Sequence, residues 1–224
     1  MTAPSFAPIL DAARTRLGAK GLDARLTQPR SPAELKAVTD DRYLSQMELR
    51  IFRAGLKHSL VDAKWPAFEE VFGGFEPRRV RAMSDEALEA LLADRRLIRH
   101  WGKLKSVRDS AAAMIGVGEE HGSFGAWLAD WPGTDIVGLW EALAKRFSQM
   151  GGNSGPSFLR MVGKDTFILT HSVTAALRHW GAVDAPPKNR KDRAAVQARF
   201  NAWAAETGRP LCQLSLILAA SIEE

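Results

Sequence analysis

The sequence predicts an all-α fold. Apolar residues recur at three- and four-residue spacing in stretch after stretch, side chains that favour helix starts precede them, and no two alternating apolar and polar runs are joined by a tight turn. At 224 residues the chain can bury a sizeable core, as one helical domain or as two lobes, and no internal repeat divides it.

Ser31-Pro32-Ala33-Glu34 combines a capping box with proline at the first helical position, so a helix begins there and ends near Val38. Thr39 and Asp40 cap the next helix, about Asp41 to Gly55, in which Tyr43, Met47, Ile51 and Ala54 share a stripe. Leu44, Glu48 and Phe52 form an adjacent row at four-residue spacing, which seats Glu48 between apolar neighbours. A helix from Asp62 to Phe72 carries Trp65, has Pro66 near its start and is ended by Gly73-Gly74. Ser84-Asp85-Glu86 opens another, with acidic residues where the helix dipole favours them. From Trp101 to Gly118 the positions Leu104, Val107, Ala111, Met114 and Ile115 keep a helical period, and Phe124 to Trp131 makes a short helix. Helices follow around Ile136 to Leu143, Val173 to Trp180, Ala194 to Ala205 and Leu211 to Ile222, with Pro186-Pro187 and the basic run after it read as a loop.

The formal charge is +5 and the pI near 9.6, a balance that suits a polyanionic partner where cations cluster. They cluster at Arg78, Arg79 and Arg81; at Arg95, Arg96, Arg99, Lys103 and Lys105; and at Lys188, Arg190, Lys191 and Arg193. Each run taken alone is equally a solvated face. Cys212 is the only cysteine, which excludes an intramolecular disulfide, a four-cysteine iron–sulfur cluster and a multi-cysteine zinc site. No metal or other cofactor is therefore expected. No apolar run is long enough to cross a bilayer and the first residues lack a signal-peptide core, so the expected location is the cytoplasm.

The stretch Met150-Gly151-Gly152-Asn153-Ser154-Gly155-Pro156-Ser157 links two helical segments through a glycine-rich turn. Such a turn points main-chain N–H groups outward, and the helix that follows offers unpaired N–H groups and a partial positive charge, so a phosphate is held without reading sequence. Gly151, Gly152, Asn153, Ser154, Gly155, Ser157 and Lys164 are the candidate DNA-backbone contacts. A plain corner between packed helices is the other reading of the same residues.

Phe75-Glu76-Pro77, Val80, Met83, Leu91, Ile98-Arg99-His100, Lys103-Leu104 and Ser110-Ala111, following Ala54-Gly55-Leu56, together resemble the 3-methyladenine DNA glycosylase I family over roughly residues 40 to 115. The glycine-rich hairpin and Pro210-Leu211-Cys212-Gln213-Leu214 resemble the wider helix-hairpin-helix glycosylase superfamily. The resemblance implies a bilobal, all-helical fold, with a hairpin unit at about 136–181, that flips a damaged nucleotide out of double-stranded DNA into a pocket. It implies removal of alkylated purines, 3-methyladenine foremost; a monomer is expected, though no residue pattern sets the oligomeric state. Tyr43, Phe52, His58, Trp65 and Trp101 are the candidates to line the pocket, and core packing is the alternative for the aromatic rings. Glu48, Thr170 and His171 are the candidate catalytic residues; a salt-bridged helical glutamate and a structural histidine are the alternatives for Glu48 and His171.

Several positions depart from the pattern. Thr170 stands where most superfamily members carry an aspartate, and Ser157 where the bifunctional members carry a nucleophilic lysine, which argues against a lyase and for an easily cleaved, cationic base. Arg50 occupies the register of the family's pocket glutamate, with Glu48 two residues earlier; His58 replaces a tryptophan; and the family's zinc ligands are absent. These departures keep open a different lesion preference, or a DNA-binding protein without chemistry.

Overall fold

The computed structural model describes residues 4–223. The α-helices are α1 (Ala7–Leu17), α2 (Ala19–Asp23), α3 (Pro32–Ala37), α4 (Asp40–Arg53), α5 (His58–Val71), α6 (Pro77–Arg81) and α7 (Asp85–Ala90), then α8 (Trp101–His121), α9 (Phe124–Asp130), α10 (Ile136–Arg146), α11 (Ser154–Val162), α12 (His171–His179), α13 (Arg190–Thr207) and α14 (Leu211–Ala220). Among the described residues there is no strand.

The chain divides into two compact units. A central unit holds Ser31–Trp131 and Trp140–Val162, and a terminal unit holds the chain up to Arg30, Pro132–Leu139 and the chain from Gly163 on. The segment 136–181 is thus shared between them, with the first four residues of α10 in the terminal unit and α11 in the central one.

In the central unit, α3 begins at the expected capping box. The Ser31 Oγ accepts the Glu34 N–H and Glu34 accepts the Ser31 N–H at 2.7 Å. Helix α4 buries Tyr43, Leu44, Met47, Glu48, Ile51 and Phe52 and packs on α8, α11 and α5. Helix α5 starts four residues earlier than Asp62, so Pro66 lies inside it rather than near its start, and no side chain caps that start to mark it in the sequence. Helix α6 is held by Glu76, whose carboxylate accepts the Arg78 and Arg79 N–H groups. Helix α8 runs past Gly118 to His121, where Gly122 at φ 87° ends it.

Two aromatic groups fill this unit. Phe52, Phe68, Trp65, Phe75 and Phe72 form a run with ring centroids 4.6–5.4 Å apart from one to the next. Tyr43, Phe124, Phe147 and Phe158 form the second, around Phe124. Gly125 lets α9 close on α3, because a Cβ there would stand 2.5 Å from the Leu35 carbonyl oxygen and 3.1 Å from the Tyr43 ring.

In the terminal unit, α14 packs against α1, α12 and α13. Phe167 stacks on Phe200 with centroids 4.2 Å apart, and Trp203 links Phe200 to Phe6. The Asp165 carboxylate accepts the Leu211 and Cys212 N–H groups at 2.9 Å and so caps the otherwise apolar α14. No described helix is long and apolar enough to cross a membrane.

Candidate functional site

Within the central unit the polar feature that stands out is a carboxyl buried between α4 and α8. The period of α4 that buries Leu44 and Phe52 also buries Glu48, which is 0% exposed. Neither of its oxygens has a hydrogen-bond partner. Burial pushes its pKa from the ordinary 4.5 up to about 8, while the nearby hydroxyls of Ser110 and Ser106 pull the other way and the charge of Asp109 adds to the rise. The Ser110 Oγ is likewise buried and unpartnered, whereas the Ser106 hydroxyl donates to the Lys103 carbonyl at 2.8 Å. At neutral pH the Glu48 carboxyl is therefore mostly protonated, with one donor and one acceptor that the protein leaves unspent. That pair is complementary to a purine edge, which offers a ring nitrogen beside an exocyclic amine.

One turn toward the start of α8, Lys103 is buried, and its ammonium donates to the carbonyls of Ala54 at 2.8 Å and Phe52 at 3.3 Å. These are carbonyls left over where α4 ends. Burial and the neighbouring Arg50 lower its pKa.

The hairpin follows α10. Met150 is buried and anchors it, Gly151, Gly152 and Asn153 are exposed, and Gly152 adopts φ 57°, the left-handed region that glycine reaches without strain. The Gln149 amide donates to the Gly102 carbonyl at 3.3 Å, which sets the hairpin against the first turn of α8.

Several predicted site residues fall elsewhere than expected. Tyr43, Phe52 and Trp65 are packed into the core, with the Tyr43 hydroxyl donated to the Leu35 carbonyl and the Trp65 indole N–H to the Ser45 hydroxyl. His58 and Trp101 sit at the surface, at the first residues of α5 and α8. Gly155 is buried inside α11, donating its N–H to the Met150 carbonyl, and Ser157 is half-buried in the same helix. Lys164, expected to reach a phosphate, is buried in the irregular stretch that precedes α12. Of the second basic cluster, Lys103 is spent on carbonyls and Arg96 on Asp94 and Glu70, which leaves Arg95, Arg99 and Lys105 exposed.

In the terminal unit the Thr170 hydroxyl accepts the Val173 N–H at 3.2 Å and so serves as the N-cap of α12. Exposed His171 follows it beside a cleft of about 240 Å³ lined also by Thr174 and Arg178. Sequence reasoning missed Ser106 and the cap role of Lys103. The available signal was the spacing of Lys103, Ser106 and Ser110, which puts three polar residues on one face of α8 along with Val107 and Ala111. Among the described residues no three His, Cys, Asp or Glu side chains group to hold a metal ion.

A family model of methyladenine glycosylases matches residues 35–150, just over half of the chain. The chain belongs to the methyladenine glycosylase family. The matched segment holds Glu48, Arg50, Lys103, Ser106 and Ser110, and it ends as the exposed glycines of the hairpin begin. A crystal structure of 3-methyladenine DNA glycosylase I is similar, with a TM-score of 0.50 and 24% identity over 61% of this chain and 81% of that one. The 3-methyladenine DNA glycosylase I of Staphylococcus aureus, in a structure addressing 3-methyladenine recognition, gives a TM-score of 0.51 and 20% identity over 70% of this chain and 85% of that one. No curated protein matches in sequence. These likenesses establish an all-α glycosylase fold for this family member.

Proposed function

We propose that this methyladenine glycosylase is a monofunctional DNA glycosylase that hydrolyses the N-glycosidic bond of alkylated purines in duplex DNA, 3-methyladenine foremost. The observation that carries the reading is Glu48, a fully buried carboxyl with no protein partner, inside the segment that matches the family. A stable protein keeps such a group only against a cost, and a base edge is the partner that would use it.

The chemistry asks little more of the protein. A purine alkylated at N3 is cationic, and it leaves as a neutral base when the glycosidic bond breaks and water adds to the sugar, losing one proton to solvent. The bound cation draws Glu48 toward its carboxylate form, releasing a proton to solvent, and the carboxylate accepts from the exocyclic amine of the base while the bond stretches. The exposed glycines of the hairpin let a phosphate approach the main chain, which suits a grip on the backbone that is indifferent to sequence. With serine at 157 the hairpin offers no amine for a Schiff base there.

Release of free base from duplex DNA carrying 3-methyladenine tests the reading. The wild-type protein should release it, and Glu48→Gln should slow release by about 100-fold, within the usual contribution of a positioned acid–base group. No release from any alkylated duplex, with salt-sensitive DNA binding retained, would instead identify a binding protein without chemistry.

A further inference from the structure

Arg50, at the last turn of α4, is half-buried, and its Nε is fully shielded from solvent with no hydrogen-bond partner. Among the described residues it forms no ion pair. Its surroundings are cationic: Arg53 lies one turn on, and Lys103 stands close enough to be destabilised by its charge. Arg53 is neutralised by Asp62 at 2.7 Å, but Lys103 is met by carbonyl groups and the Phe52 ring and by no acid. Glu48, two residues before Arg50 on α4, faces α8 and its serines, and neither group perturbs the other.

A half-desolvated guanidinium beside a second cation with no acid is costly on its own, and it is stabilised when an anion arrives. The two terminal nitrogens of a guanidinium match two oxygens of a phosphoryl group, a fit that an ammonium cannot reproduce. The segment that follows, from Gly55 to Leu60, is exposed and carries Lys57 and His58 and no acidic side chain. We propose that Arg50, backed by Lys103, is an anion site that receives one phosphodiester of the bound DNA strand. The inference rests on the proposed action on DNA.

The test is the salt dependence of binding to an undamaged duplex, read by fluorescence anisotropy, which needs no chemistry. Removing one phosphate-neutralising cation flattens the slope of log K against log salt by about 0.9. Arg50→Gln should therefore flatten it by that amount, and Arg50→Met should do the same if the glutamine variant folds poorly. Arg50→Lys, which keeps the charge, should keep the slope. An unchanged slope in Arg50→Gln and Arg50→Met, with binding retained, overturns this inference and leaves the glycosylase reading standing. Inorganic phosphate that raises the melting temperature of the wild type but not of Arg50→Gln, with the DNA slope unchanged, would assign the site to free phosphate instead and also overturn it. No duplex binding by the wild type overturns both.

Discussion

Replacing Glu48 by glutamine should stabilise this protein, and increasingly so as pH rises. The wild-type carboxyl titrates at about 8 when folded and at 4.5 when not, because burial disfavours its charge. Its folded pKa is raised, so the unfolded chain loses its proton first, and wild-type stability falls as pH climbs from 4.5 toward 8. At about 1.4 kcal/mol per pH unit, the penalty is below about 1 kcal/mol at pH 5, about 3 kcal/mol at pH 7 and close to 5 kcal/mol by pH 9. Glutamine fills nearly the same volume and does not titrate, so it escapes this penalty. Urea unfolding of both proteins at pH 5, 7 and 9 measures the effect: the advantage of the variant should grow by about 4 kcal/mol across that range. A difference that stays constant with pH, or a variant that loses ground as pH rises, would refute the burial of an unpartnered carboxyl. Paired with slower base release, the gain would mark Glu48 as a group kept for function at the expense of stability.

Other expectations follow from single contacts. Gly125→Ala forces a methyl group against the Leu35 carbonyl oxygen and the Tyr43 ring, and should lower stability by about 2–3 kcal/mol in denaturant unfolding. Asp165→Ala removes the acceptor for two N–H groups at the start of α14 and should cost about 1–2 kcal/mol, seen as a lower melting temperature. Gly152→Val places a branched side chain at φ 57° on the exposed hairpin; it should cost about 1–2 kcal/mol and weaken DNA binding equally for every duplex sequence tried, whereas weakening confined to some sequences would contradict a backbone grip.

The helical fold was legible because its starts are written in local chemistry. Ser31 and Ser84 cap α3 and α7 as their sequence patterns predict, and the period around Leu104 to Met114 places α8. The start of α5 was not legible, since Lys57 supplies no side-chain cap, and α6 was missed because its cap is a glutamate. Two lobes were expected, but which stretches make up each unit was hidden: each is assembled from separated stretches of chain, and no linker composition marks the crossings. At the site, the row Leu44, Glu48, Phe52 exposed Glu48 as an acid out of place, but its depth is fixed by α8, more than fifty residues away in the chain. Helical period alone cannot separate a ring that lines a pocket from one that fills a core, and Tyr43, Phe52 and Trp65 fall on the core side. Lys164 misled for a related reason. It lies in an irregular stretch with no period to announce that it turns inward.

The first turn of α8 carries two fastenings. The Gly102 carbonyl holds Gln149 of the hairpin, and the side chain of the next residue, Lys103, holds the carbonyls that end α4, just before Gly55. The two loops thus hang from adjacent residues of one helical turn and are tied to each other through it. On the proposed action on DNA, a duplex that bears on the hairpin would therefore bear, through these two residues, on the exposed segment around Leu56 as well.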